Sequence, residues 1–325
     1  MKRSLIVICS FSLLAFFSTT VNARPKHKHL TDVLQTEHNQ LLGRWDITLN
    51  DNGRSLPSWL EVKHSGLRTL VGAFVSTGGS ARPVAKVNFD DGKFNFSIPP
   101  QWENSNNDMT LEGTLIDENN IEGVITTCDG RKQPFKGVRA PYLTRTAEPV
   151  WGTPIKLFNG KDLTGWKATG NHNQWEVVNG VLTSAHPGSN LITEQKFNDF
   201  KLHIEFRCPE DGNSGVYLRG RYEVQIIDGK KGDHPASGLF SGVYGFLTPS
   251  EINTKGAGQW QSYDITLVGR MVTVVANGKT VICNQEIPGI TGGALDSNEG
   301  EPGPIYLQGD HSSIEYRNIV LTPAK

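Results

Sequence analysis

NSGVYLRGRYEVQIID, Asn213–Asp228, is the stretch on which the fold turns. It divides around Gly220-Arg221 into two short runs of alternating polar and apolar residues, the pattern of two strands joined by a tight turn. Strand side chains point alternately to opposite faces, so Asn213, Gly215, Tyr217 and Arg219 share one face, with Ser214, Val216 and Leu218 on the other. Past the turn, Glu223 and Gln225 fall on one face and Tyr222, Val224 and Ile226 on the other. Such a polar face is either solvated or the floor of a cleft. Arg and Gln in place of Lys and Ser favour the cleft.

The same alternation extends in both directions. From Leu41 to about Tyr142 short alternating runs are separated by Asn52-Gly53, Gly78-Gly79, Asp91-Gly92, Asn119-Asn120 and Asp129-Gly130. Hairpin turns favour these residue types because their central positions need positive φ. Asn179-Gly180 and Asn277-Gly278 continue the series, and no convincing amphipathic helix interrupts it. The expected class is all-β: a jelly-roll sandwich preceded by a smaller antiparallel β-barrel or sandwich. Gly43-Arg44-Trp45 resembles the opening of lipocalin-like barrels. The first domain then either encloses a ligand cavity or packs on its neighbour as an accessory, the second being favoured. Trp59 and Trp102 are either sugar-stacking platforms or core.

The chain has 325 residues, enough for two domains, and a formal net charge of -1, which gives no electrostatic reason to bind nucleic acid. Lys2 and Arg3, an apolar run from Leu5 to Phe17 and the small residues at Val21-Asn22-Ala23 read as a signal peptide over 1–23. The run is too short for a membrane span, so a secreted or periplasmic protein is expected. Residues 24–36 form a polar mature terminus with His27 and His29, 37–145 the first β domain, 146–154 a linker and 155–325 the second domain. Cys9 leaves with the signal. Cys128, Cys208 and Cys283 are widely spaced, allow at most one disulfide and read as small buried residues in strands.

In the second domain LFNGKDLTGW, DFKLHIEFR, GNSGVYLR, YEVQIID, GQWQSYDITLVGRMVTVVANGKTV and GPIYLQGDHSSIEYRNI follow one another. Their order resembles the 3-keto-disaccharide hydrolase family, exported bacterial proteins with a concanavalin-like jelly roll, over about 155–325. The resemblance implies glycosides already oxidised to a ketone at carbon 3. A ketone acidifies the proton on carbon 2, so a base can remove it and the aglycone can leave by elimination, with or without later addition of water. This route needs one tuned base, donors for the enolate oxygen, and an acid or divalent metal ion at the leaving group.

A conventional glucanase needs two opposed carboxylates, and jelly-roll glucanases set them at alternate positions of one strand. Here that strand offers Glu223, Gln225 and Ile227, which counts against the conventional route. For the base, His311 and Glu223 lead and His234 is third; His311 stands in LQGDH, matching the family's late Gln-x-x-His with Gln308. Arg219 either stabilises the enolate or pairs with Glu223. Asn213, Tyr217, Gln225, Glu205, Tyr244, Trp260 and Gln308 are candidate substrate contacts. Glu205 either reaches the Glu223 cleft or forms an exposed cross-strand ion pair. Asp228, Asp233 and His234 are candidate metal ligands in a loop that otherwise reads as a solvated turn. A lectin-like module without catalysis is the alternative function, since fold does not fix function.

Overall fold

A computed structural model describes residues 40–325. The signal-peptide reading, Cys9, His27 and His29 fall outside them. The first unit is a closed barrel of eight antiparallel strands: β1 (Gly43–Asp51), β2 (Arg54–Ser65), β3 (Thr69–Val75), β4 (Arg82–Asp90), β5 (Lys93–Ile98), β6 (Met109–Asp117), β7 (Asn120–Thr126) and β8 (Lys132–Arg139). β8 pairs back with β1, Leu49 opposite Phe135, so no edge strand remains. Asn52-Gly53 and Asp91-Gly92 have positive φ at both residues and turn the hairpins β1–β2 and β4–β5.

Side chains fill the barrel. Trp45, Ile47, Leu60, Phe74, Phe94 and Phe135 belong to one buried cluster, and Arg139 lies over the Trp45 ring at 3.7 Å. The interior of the barrel is thus a packed core.

The second unit contains β9 (Ile155–Lys156), β10 (Trp166–Ala168), β11 (Trp175–Val178), β12 (Val181–Ser184), β13 (Leu191–Thr193), β14 (Phe200–Arg207), β15 (Asn213–Leu218), β16 (Tyr222–Ile227), β17 (Gln261–Val268), β18 (Met271–Ala276), β19 (Lys279–Glu286), β20 (Tyr306–Leu307) and β21 (Ile314–Pro323). Five strands form one sheet in the order β10-β13-β20-β15-β16, and eight form the other, β11-β12-β21-β14-β17-β18-β19 with β9 on β21. Between them lies a core that includes Val216, Leu218, Val224, Ile226, Phe206 and Tyr263. The alternation of Asn213–Leu218 and Tyr222–Ile227 places their apolar members in this core. Residues 150–152 run beside the end of β21, where Trp151 bridges Ala324 and the Gly152 amide donates to the Pro323 carbonyl.

Barrel and sandwich share buried surface. Trp59 and Val75 of the barrel join the sandwich core, with Trp59 edge-on to Phe246 at 5.3 Å. Beside them, a buried ionic group crosses the junction. Glu299, fully buried, accepts from Arg270 and, at 2.7 Å, from the Tyr222 hydroxyl. Asp46 of β1 packs against this group; burial and the neighbouring Glu299 charge push its carboxyl up to about 9, so it keeps its proton at neutral pH. Glu299 itself stays ionised, because Arg270 offsets the cost of its burial.

Truncating Glu299 to alanine leaves Arg270 buried without its carboxylate. The expected loss is about 3–5 kcal/mol, seen as a melting temperature lowered by roughly 10 °C; an unchanged melt removes the pair from the account of the junction.

Cys128 and Cys208 are buried free thiols and Cys283 is exposed and free. Burial pushes the Cys208 thiol up to about 12, which leaves it unreactive at neutral pH.

Candidate active site

The site lies on the outer face of the five-stranded sheet. Antiparallel pairing sets Tyr217 opposite Glu223 and Gly215 opposite Gln225, and β20 adds Tyr306 beside Tyr217. The two phenol rings stack with centroids 4.4 Å apart. A Cβ at Gly215 would stand 2.4 Å from Glu223 Oε1, so only glycine there leaves room for the carboxyl to lie flat on the sheet.

Glu223 is 4% exposed. Its backbone amide donates to Thr291 Oγ1 at 3.0 Å, and its carbonyl accepts from the Tyr244 amide at 3.0 Å, so two loops fold over the edge strand β16. Burial pushes the Glu223 carboxyl up to about 8; the Tyr217 hydrogen bond opposes this and the Asp310 charge adds to it.

The Tyr217 hydroxyl lies 2.9 Å from Glu223 Oε2 and 3.0 Å from the Gly292 carbonyl. The hydroxyl donates to Glu223 Oε2 and shares its one proton with the Gly292 carbonyl. Burial thus favours the neutral form of this carboxyl at the floor of the site, backed by a phenol whose own pKa burial and Glu223 raise well above its usual value.

Around this pair are polar atoms with no partner. Asn213 Oδ1, Gln225 Oε1 and Gln308 Oε1 are buried and unbonded, the first two on β15 and β16 and the third just past β20, where its amide donates to the Gly215 carbonyl. Unmet buried acceptors are costly, and hydroxyl groups of a sugar satisfy them. Tyr244, half-buried, is close enough to Glu223 for that carboxylate to raise its phenol pKa, after the larger effect of burial.

At the margin His311 Nδ1 lies 2.6 Å from Asp310 Oδ1. A proton on Nδ1 bonds this carboxylate, and in that tautomer Nε2 is the nitrogen with the open lone pair. Asp310 also receives the Asn190 amide at 3.2 Å, and its charge raises the pKa values of Glu223, Tyr217 and Tyr306. The dyad and the buried acid thus lie within electrostatic reach of each other.

Four expected contacts lie elsewhere. Arg219 leaves the polar face because the turn centre is Arg219-Gly220, both at positive φ, one residue earlier than the alternation suggests. Its buried guanidinium donates to the Tyr222 hydroxyl and the Gly269 carbonyl, each at 2.9 Å, on the junction side. It pairs with neither Glu223 nor the cleft.

Glu205 and Trp260 belong to the outer face of the other sheet. Glu205 accepts from Arg317 at 2.6 Å and Asn318 at 2.8 Å, the cross-strand ion pair, and Arg317 and Arg207 lie over Trp260. His234 is an exposed loop residue.

The candidate metal loop does not converge. Asp233 accepts from the amide of Lys230 at 2.8 Å and Asp228 from that of Asp211 at 3.3 Å, the bonding of a solvated turn. Among the described residues no three His, Cys, Asp or Glu side chains come together as metal ligands. Asp310, Tyr306, Asn190, Thr291 and Gly292 were not legible as site residues, although Asp310 adjoins His311 and Tyr306 stands two before Gln308.

Comparison with known proteins concerns the second unit. The model of a 3-keto-alpha-glucoside-1,2-lyase-like domain matches residues 153–322. The 3-keto-disaccharide hydrolase of Bacteroides thetaiotaomicron is 24% identical over 34% of this chain and 47% of its own. The chain thus spans about half the length of that curated relative. A candidate glycosyl hydrolase of Parabacteroides distasonis ATCC 8503 is 30% identical with a TM-score of 0.45, covering 57% of this chain and 99% of that one. The carbohydrate-binding module CBM66 of Bacillus subtilis is 13% identical with a TM-score of 0.31, covering 48% and 93% respectively.

Proposed function

The chain belongs to the 3-keto-alpha-glucoside-1,2-lyase-like domain family through residues 153–322, and from that membership we propose that it cleaves 3-keto-glycosides by elimination. His311 Nε2 removes the carbon 2 proton, with Asp310 holding the ring. The electron pair left on carbon 2 delocalises onto the ketone as an enolate, then forms the carbon 1–carbon 2 double bond as the carbon 1–oxygen bond breaks. Glu223 gives its proton to the departing aglycone oxygen, and the phenol of Tyr306 holds the enolate. Water adding to the unsaturated product would complete a hydrolysis.

What supports this reading is one arrangement: a buried Glu223 carboxyl, pushed up to about 8 and bonded by the Tyr217 hydroxyl, near enough to the Asp310–His311 pair for the Asp310 charge to raise it further. Two titratable groups with different environments suit an acid and a base. Neutral donors replace Arg219 in the enolate role, since that guanidinium points to the junction.

The test is product analysis. Mature protein is mixed with a 3-keto-disaccharide and, separately, its unoxidised parent, each with and without chelator. Release of the aglycone sugar from the keto form alone is expected. An unsaturated sugar as first product identifies the elimination, and sensitivity to chelator adds a divalent metal at the leaving group. Binding of either sugar with cleavage of neither makes this a lectin-like module and sinks the assignments above.

A further inference from the structure

Building on the proposed cleavage, we infer that the accessory barrel supplies a stacking subsite for the aglycone sugar ring, with Trp102 as its platform. Trp102 is one of the few large apolar side chains left exposed among the described residues, at 55%. A single exposed tryptophan is unremarkable when it is loosely held; this one is fixed from three directions.

Arg82, 1% exposed, places its guanidinium 4.2 Å from the indole centroid. The same guanidinium donates to Glu103 at 2.6 Å, and Glu103 in turn accepts from the amides of Gln101 and Trp102 at 2.9 and 3.3 Å. Arg82 Nε and Nη1 are buried with no hydrogen-bond partner, so a charged group has been committed to positioning this loop. Finally, the benzenoid end of the indole lies against Gly79, where a Cβ would come within 2.3 Å of it.

Gly79 connects the platform to the cleft. Its carbonyl oxygen would lie 2.2 Å from a Cβ on Gly292, so the two backbones touch, and the adjoining Gly293 amide donates to the Thr77 carbonyl at 3.3 Å. Gly292 is the residue whose carbonyl accepts from Tyr217. On the other side of the cleft edge, Gly245, next to Tyr244, packs against Ser80 and Ala81 of the same barrel loop. The barrel loop between β3 and β4 therefore backs the wall of the Glu223 site, and Trp102, on the loop between β5 and β6, packs against it.

The chemistry that fits is a pyranose ring. Its C–H face packs on an indole, and a rigid indole loses little conformational freedom when it is covered. The sugar that binds over Glu223 must carry the ketone. The ring that reaches the barrel is then the aglycone of a disaccharide or longer glycoside, and a methyl aglycone is too small to reach it.

The experiment measures KM and kcat for Trp102→Ala on a 3-keto-disaccharide and on the corresponding 3-keto methyl glycoside, with Trp102→Tyr as the variant that keeps an aromatic face. The ratio of the two KM values is expected to rise about tenfold in Trp102→Ala, with kcat little changed, and to stay near wild type in Trp102→Tyr. An unchanged ratio overturns the subsite, whether both KM values rise together or neither moves. If the wild type cleaves no keto-glycoside, the proposed reaction fails by itself and calorimetry decides the subsite. Disaccharide affinity about tenfold weaker in Trp102→Ala, with methyl glycoside affinity unaltered, supports it; equal affinities, or no binding by the wild type, overturn it.

Discussion

Turnover of a 3-keto-disaccharide falls by about two to four orders of magnitude in His311→Ala, while the melting temperature stays within a degree or two of wild type. His311 is exposed at the cleft margin and bonds to its neighbour Asp310, a local contact on which the packing of the core does not depend. The proposed chemistry does, because His311 Nε2 is the group assigned to take the carbon 2 proton while Glu223 remains protonated. Asp310→Asn gives a smaller loss, because the amide still bonds the ring and only its control of the tautomer is weakened. Near-normal turnover in folded His311→Ala removes His311 from the mechanism and leaves ionised Glu223 as the base.

Glu223→Gln separates chemistry from stability in the opposite way. The carboxamide fills the same space over Gly215 and its oxygen still accepts from Tyr217, but it cannot release a proton to the aglycone. Turnover is expected to drop by about two to three orders of magnitude. Wild-type turnover should fall above about pH 8, where Glu223 loses its proton, and the variant's residual rate should lack that limb.

Stability carries the same signature. The folded carboxyl titrates at about 8 and the unfolded one near 4.5. Between those values the folded chain holds a proton that the unfolded chain has released, so wild-type stability declines as pH rises through the window and levels off above it. Glu223→Gln has no such group and should become the more stable protein at pH 9. Parallel melts of both proteins from pH 5 to 9 check this; identical pH dependence would mean that Glu223 titrates normally and that the neutral-acid role is wrong.

Much of the site could be read by counting in twos. Asn213, Tyr217, Glu223 and Gln225 share a face because strand alternation dictates it, and the structure keeps them together. Errors arose where alternation ends or where it is silent. Arg219 is misplaced by one residue of turn register, since both Arg219 and Gly220 take positive φ and the guanidinium swings to the junction. Glu205 and Trp260 alternate correctly within their own strands, yet a sandwich has two outer faces, and the period says nothing of which one a strand presents.

The sequence by itself determined the all-β class, the hairpin turns at Asn-Gly and Asp-Gly, and the polar face of Asn213–Asp228, because each depends on neighbours a few residues apart. Only the tertiary structure decided what that face meets. Val216 pairs with Leu307 and Tyr217 with Tyr306 across roughly 90 residues of chain, and this long-range pairing brings Gln308, Asp310 and His311 to Glu223. The raised pKa of Glu223 has the same origin. Its cause is burial under loops that carry Tyr244, Thr291 and Gly292, and burial is a property of the packed molecule that no local pattern encodes.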